Sequence, residues 1–363
     1  MSISRKNDKN PLNRATGRGS EVLNQGRFEK FSRETDLSHL ENADLEDEIH
    51  GVKTEVYKDV SRKIISHNQS PDIGFTSSIN AYRGCEHGCA YCYARPTHEY
   101  LGHSAGLDFE SKIYVKEDAP ELLKKELMAK SWTPEVIMMS GVTDCYQPLE
   151  RKYELTRRLL QVLHEFKNPV GLITKNALVT RDLDILSSMA EENLAMVFVS
   201  VTTLDATLGR SLEPRTSSPE ARLAAIKALA EAGVPVGVNI APVIPGLTDH
   251  EMPKILERAR EAGATMAGFT PLRLPYSVTE IFSEWLQTHR PEAREKVLNA
   301  VRSIRGGKLN EADFTSRMRG EGPKAEHLRS MFGVFSKKYG FNRRELNLRT
   351  DLFSRPGDQL GFF

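Results

Sequence analysis

With 363 residues, 39% of them hydrophobic, the chain can bury a large core, either as two or three average domains or as one α/β barrel of roughly 250 residues with terminal additions. A formal net charge of +1 excludes a globally basic nucleic-acid binder. No run approaches the roughly 18 apolar residues of a membrane span and the amino terminus has no apolar signal segment, so the sequence predicts a cytoplasmic protein without membrane contact, its four cysteines reduced and ligating rather than disulfide-bonded.

Residues 1–50 lack apolar periodicity and divide by charge. From Arg5 to Arg33 there are eight Lys/Arg against three Asp/Glu, and from Glu34 to Glu48 seven acids and no base. Such a segment buries too little apolar surface to offset chain entropy, which predicts a disordered charged arm. A globular pattern spans residues 51–275. Ser77 to Arg83 reads as a strand ending in a Gly-flanked cysteine loop, and Lys112 to Val115 as a short strand. A helix follows over 119–127, with Asp118 as its cap and Pro120 in its first turn.

From there strands and helices alternate. Apolar runs at 136–140, 170–174, 195–201, 235–241 and 265–269 are of strand length, and the segments between them carry helical periodicity, as at Leu155, Leu159, Leu160 and Leu163. Apolar strands without alternation are those buried on both faces, as parallel strands covered by helices are. Two of the helices end in Glu-Ala-Gly, at Gly233 and Gly263, where glycine reverses the chain into the next strand. Six βα units with right-handed crossovers predict an α/β fold, a partial (β/α)6 TIM-like barrel. Residues 276–363 change to helices without strands, a C-terminal extension expected to cap the open barrel mouth. Its stretch from Arg305 to Arg349 carries eleven Lys/Arg and five Asp/Glu, read as a solvated surface or a phosphate-facing patch.

In parallel α/β sheets ligands sit outside the carboxyl ends of the strands. Polar residues gather there: the cysteine loop, then Thr143, Asp144, Cys145, Tyr146 and Gln147, then Lys175 and Asn176, then Ser200, Glu213 and Arg215, and finally Asn239 and Arg273. Three of the four cysteines, Cys85, Cys89 and Cys92, fall within eight positions with C-x3-C-x2-C spacing, and Cys145 lies more than fifty residues away. Three chemistries fit the spacing. An iron–sulfur cluster with three protein thiolates leaves one iron open; a structural zinc site needs a fourth ligand from His87, His98, His103 or Cys145; a redox pair would use Cys89 and Cys92 and leave Cys85 idle.

The loop Tyr82-Arg83-Gly84-Cys85-Glu86-His87-Gly88-Cys89-Ala90-Tyr91-Cys92-Tyr93-Ala94-Arg95 after the first strand resembles the radical S-adenosylmethionine superfamily. With Thr143 to Pro148, Thr174-Lys175-Asn176, Glu213-Pro214-Arg215, Ala241 to Asp249 and Arg355 to Leu360, the chain is similar to the group related to spore photoproduct lyase, in particular to a bacterial subgroup without an assigned substrate. The resemblance implies that Cys85, Cys89 and Cys92 bind a [4Fe-4S] cluster whose fourth iron takes S-adenosyl-L-methionine. A one-electron reductant of flavodoxin or ferredoxin type would then drive cleavage of that cofactor to a 5′-deoxyadenosyl radical, which abstracts hydrogen from a substrate, by analogy a nucleic acid. It further implies that Tyr91 contacts adenine, that Lys175 and Ser200 hold the methionine carboxylate or the ribose, that Asn239 lies near adenine, and that Thr143 or Asp144 accepts the methionine amine. The lyase's hydrogen-donor cysteine has no counterpart near Gly141; the displaced Cys145 is then either a functional thiol, as hydrogen donor or ligand, or a small buried residue, and Tyr146 either a radical relay or a packing residue, packing being the preferred reading of both. The reading from a different class is a zinc-stabilised, non-catalytic nucleic-acid-binding protein.

Overall fold

A computed structural model of the protein describes residues 18–20 and 52–357. The expected arm therefore lies outside the described residues except for Arg18, Gly19 and Ser20, which are buried against the rest of the chain rather than free. The strands are β1 (Glu55–Lys58), β2 (Ile65–His67), β3 (Ser77–Ile79), β4 (Tyr82–Arg83), β5 (Lys112–Val115), β6 (Ile137–Met139), β7 (Val170–Thr174), β8 (Ala195–Ser200), β9 (Val236–Val243) and β10 (Met266–Pro271). Seven form one sheet in the order β10-β9-β8-β7-β6-β3-β2. From β3 to β10 every neighbour in it is parallel and in chain order, and β2 lies antiparallel on the outer edge of β3. The chain therefore has the expected partial (β/α)6 barrel.

The expected first strand is two. Its chain breaks at Asn80, whose carboxamide oxygen accepts from the amides of Gly141 and Val142 at the end of β6. β4 then leaves the barrel for a separate three-stranded sheet, β1-β5-β4, which also takes Lys112–Val115. A propensity reading cannot see this break, because it is made by a side chain bonding across sixty residues of sequence.

The covering helices are α1 (Ala119–Met128), α2 (Leu155–Glu165), α3 (Leu183–Glu191), α4 (Ala206–Leu212), α5 (Pro219–Glu231) and α6 (Met252–Glu261). α2 buries Leu155, Leu159, Leu160 and Leu163 completely, each worth roughly 1.5–3 kcal/mol of transfer from water. Ser218 caps α5 through the amide of Ala221, whereas Asp118 stands at the N-cap of α1 without a side-chain cap bond. Among the described residues no helix is long and apolar enough to cross a membrane.

The C-terminal helices α7 (Val278–His289), α8 (Arg294–Ser303) and α9 (Gly322–Tyr339) do not act as one cap over the mouth. Phe282, Trp285, Val297 and Val301 of α7 and α8 share a core with Cys89, Ala90, Tyr91 and Leu212, so these two helices wall the cysteine loop. α9 instead packs on α6 and on the β10 edge, where Phe332 meets Phe269 at 4.8 Å. Asn342 closes that edge by exchanging side-chain hydrogen bonds with both the amide and the carbonyl of Ala267. The tail then crosses the amino ends of the strands: the Arg349 amide donates to Asn193 O, the Ser354 amide to Phe166 O, and the Arg355 guanidinium to Leu127 O and Ala129 O. Part of the basic stretch is structural, since Arg305 is 1% exposed and donates to the carbonyls of Pro271, Leu272, Ser316 and Arg317.

Candidate active site

The loop begins where β4 stops. Gly84 turns the chain at φ +80°, and a Cβ there would come within 2.7 Å of Phe109 O. The Cys85 amide donates to Phe109 O, the Gly88 amide to Cys85 O, the Ala90 amide to Leu212 O and the Cys92 amide to Cys89 O. Arg95, fully buried, collects the outward carbonyls of the loop: its Nε donates to Cys89 O at 2.9 Å and its Nη2 to Gly88 O at 3.0 Å. All three cysteines are free, Cys85 and Cys89 buried and Cys92 half-buried. Burial pushes the Cys89 thiol well up, and the Glu213 carboxylate and the other two cysteines add to this against Lys175. Burial and then Cys85 raise Cys92, with Arg95 opposing. Three free thiols within eight positions, on a loop whose carbonyls are taken up by Arg95, are a donor set that fits an iron–sulfur cluster.

The zinc reading lacks its fourth donor. His87 Nδ1 is 3.4 Å from Asp144 Oδ2, with Asn176 Nδ2 3.2 Å from its Nε2. His98 Nε2 meets Lys112 O at 2.9 Å, and His103 Nε2 meets the Tyr114 hydroxyl at 2.8 Å. Cys145 belongs to the main hydrophobic core. Zinc would need a fourth donor, and His87, His98, His103 and Cys145 are each engaged elsewhere; among the described residues no three His, Cys, Asp or Glu side chains, the loop cysteines included, are gathered on one ion.

The turn after β6 clasps the loop. The Thr143 hydroxyl donates to Gly84 O at 2.7 Å, and Gln147 donates to the Thr143 hydroxyl while accepting from the Glu86 amide. Asp144 accepts from the Lys175 and Tyr146 amides and from the Thr174 hydroxyl. Burial would raise its carboxyl, but His87 and those amides outweigh it and hold the group at about 2. In His87, burial is likewise overcome by Asp144 and Cys85, and the imidazole is pushed up to about 10. Thr143 and Asp144 thus tie the loop to β6 and β7.

Cys145 and Tyr146 point the other way. Cys145 is 3% exposed, with its thiol pushed well up by burial, and the Tyr146 hydroxyl donates to Asp182 at 3.0 Å with Arg181 over its ring. In this turn residues 143, 144 and 147 face the loop and 145 and 146 face the interior. The structure therefore gives the candidate hydrogen donor and radical relay packing positions.

On the other side of the loop the Tyr91 hydroxyl donates to Glu213, whose carboxylate also accepts from the Thr202 hydroxyl and pairs with the Arg222 guanidinium. Arg222 continues to Ser200 O and Ser217 O, which anchors the end of β8. Lys175 Nζ lies 5.9 Å over the Tyr91 ring and donates to Ala241 O. Ser200 is paired in register with Asn239, and Asn239 with Gly268, so the strand ends expected to face a cofactor are neighbours. The structure thus brings Tyr91, Lys175, Ser200 and Asn239 to the cysteine loop side of the barrel.

Arg222 and Glu110, both central to this arrangement, are not among the residues singled out from the sequence. Arg222 had a signal: it falls on the apolar face of α5 beside Leu223, Ile226 and Leu229, where a charge needs a buried partner. Glu110 had none, because its partners come from distant segments.

The sequence profile described as the Radical SAM superfamily matches residues 79–259. An uncharacterized protein of Mycobacterium tuberculosis is 38% identical over 220 residues, which cover 60% of this chain and 65% of its own length. The matched part thus spans less than two thirds of that relative. An uncharacterized protein of Methanocaldococcus jannaschii is 32% identical over 200 residues, covering 55% of this chain and 71% of its own. Among solved structures, spore photoproduct lyase complexed with dinucleoside spore photoproduct shares the fold, with a TM-score of 0.57 at 16% identity over 79% of this chain and 80% of that one. A variant of the same lyase with bound AdoMet and the dinucleoside gives 0.54 over the same shares.

Proposed function

The chain belongs to the radical SAM superfamily, and on that premise we propose that Cys85, Cys89 and Cys92 hold a [4Fe-4S] cluster with S-adenosyl-L-methionine at the remaining iron. When bound, that pair supplies a 5′-deoxyadenosyl radical that takes a hydrogen atom from the substrate. The observation that carries the proposal is the loop itself, which brings three free cysteines, two buried and Cys92 half-buried, into eight positions while Arg95 takes the Gly88 and Cys89 carbonyls. Tyr91, fixed by Glu213, offers a ring face at a set position for adenine, and the Lys175 ammonium beside it suits a carboxylate or ribose oxygen. Ser200 and Asn239 complete that wall. A small one-electron protein of flavodoxin or ferredoxin type would deliver the electron.

For the substrate we propose a nucleic-acid component. Support comes from an aromatic and a cationic side chain at the loop: Tyr93, 49% exposed directly after Cys92, has Arg273 4.9 Å over its ring. Stacking on such a face is worth about 1–3 kcal/mol per base.

Anaerobic reconstitution with iron and sulfide tests the cofactor reading. The expected result is a brown protein with iron and sulfide in equal amounts that forms 5′-deoxyadenosine from S-adenosyl-L-methionine when dithionite is added. Stoichiometric zinc with no cofactor cleavage would end it. For the substrate, Tyr93→Ala should weaken binding of a single-stranded oligonucleotide roughly tenfold by fluorescence anisotropy; equal affinity of variant and parent would remove that surface from the proposal.

A further inference from the structure

We infer that Arg18-Gly19-Ser20 is a strap seated on the back of the cysteine loop, and that Glu110, which it seals, is a positioning residue for the metal-binding thiols. Glu110 is 0% exposed and its carboxylate is saturated by the strap and the loop together. Oε1 accepts from the Ser20 amide at 2.7 Å and from Arg95 Nη2 at 2.9 Å, and Oε2 accepts from the Gly19 amide at 2.8 Å. Arg95 is the residue that holds the Gly88 and Cys89 carbonyls. One carboxylate thus links the strap to the backbone on which Cys89 stands.

The strap is pinned at its other end as well. Arg18 donates to Glu110 O and Val52 O at 2.7 Å and to the Thr54 hydroxyl at 3.1 Å. The Thr54 hydroxyl in turn donates a hydrogen bond to Glu86, the neighbour of Cys85, and Glu86 also pairs with Arg215 at 3.1 Å. Shape adds to charge. A Cβ on Gly19 would overlap the carbonyl oxygen of Gly88, and a Cβ on Gly88 would overlap the Glu110 carboxylate, so this approach of two backbones requires glycine on both sides. Arg18, Gly19 and Ser20, docked in this way, form a wall of the site. Without it Glu110 loses two of its three donors, Arg95 loses the neutralising geometry of its partner, and the loop carbonyls are left to rearrange.

The inference rests on the cluster reading of the same loop, and its first readout does not need the cluster. In the metal-free full-length chain, Gly19→Ala should unseat the strap, and hydrogen exchange at the Ser20 and Gly88–Ala90 amides should rise by about tenfold while the β7 and β8 amides keep their protection. After anaerobic reconstitution the same variant should bleach several-fold faster in air. Glu110→Gln, which keeps the shape but not the charge, should shift the cluster reduction potential at unchanged iron content. Faster exchange at Ser20 with unaltered exchange at Gly88–Ala90, or equal potentials in Glu110→Gln and parent, would overturn the inference. If Gly19→Ala does not fold, Ser20→Pro removes one donor to Glu110 without touching Gly19 and is read by the same criteria. Strap-dependent exchange in a parent chain that takes up no iron would uphold the strap and sink the cluster reading, so the two failures are distinct.

Discussion

At the carboxyl ends of the barrel strands, buried charge is met by buried charge: Asp144 faces His87, Glu213 faces Arg222, and Glu110 faces Arg95. At the amino ends the C-terminal tail meets backbone carbonyls and apolar rings, with Phe353 6.2 Å from Phe166 and Arg355 laid over the carbonyls that precede β6. Each buried ion costs several kcal/mol of desolvation, and apolar residues of similar volume would stabilise the fold as well or better. The amino ends have taken the cheaper solution. The charged pairs at the other end therefore make sense as devices that fix positions, here those of Cys85, Cys89, Tyr91 and the backbone between them.

The largest expected effect breaks this comparison at the loop. Cys85→Ala, Cys89→Ala or Cys92→Ala should abolish iron binding while far-ultraviolet circular dichroism stays that of the parent; a variant that keeps its full iron content would refute the ligand assignment. Next comes Glu213→Ala, which leaves the Arg222 guanidinium buried without its partner and frees Tyr91. A loss of about 3–5 kcal/mol in urea unfolding is expected, together with weaker S-adenosyl-L-methionine binding. The pH dependence gives an independent check. Burial alone would raise the Glu213 carboxyl, but Arg222 and Lys175 outweigh it and hold it at about 2. A depressed carboxyl contributes stability that is fully present above its ordinary value of 4.5 and is lost as pH falls toward about 2. Glu213→Gln should flatten the slope of stability against pH across that window, and an unchanged slope would mean that the pair is not formed.

Legibility in the sequence follows the same division. The barrel was readable because uninterrupted apolar runs such as 136–140 and 195–201 can only be strands buried on both faces, and their order follows from right-handed connections. The three thiols were readable because their spacing is local. What escaped are contacts between distant segments: Asn80 breaking the first strand against Gly141, Glu110 joining residue 19 to residue 95, and a tail whose polar and aromatic residues run under the barrel rather than over its mouth. The arm was read by its composition, which averages over the three residues that dock. Composition has no means of registering that a glycine fits where nothing else does.

A contrasting pair of smaller effects sharpens the comparison. Phe353→Ala, at the amino ends, removes a half-buried ring from Phe166 and should cost roughly 1–2 kcal/mol in stability, with iron content and S-adenosyl-L-methionine cleavage unaltered. An effect on iron there would mean that the two ends are coupled.

Cys145→Ala is expected to do least. The residue lies next to Asp144, which does hold the loop, so its distance along the chain gives no warning that its role differs. Its side chain, however, packs in the main core, its amide donates to the Ser140 hydroxyl, and its carbonyl accepts from Thr156, all of which survive substitution by alanine. Only the sulfur is lost, a cost of about 1 kcal/mol by the area removed. Iron content and 5′-deoxyadenosine formation should therefore match the parent. Loss of iron would make Cys145 a ligand after all, and loss of product formation with iron intact would restore it as a hydrogen donor reached through a movement of the turn after β6.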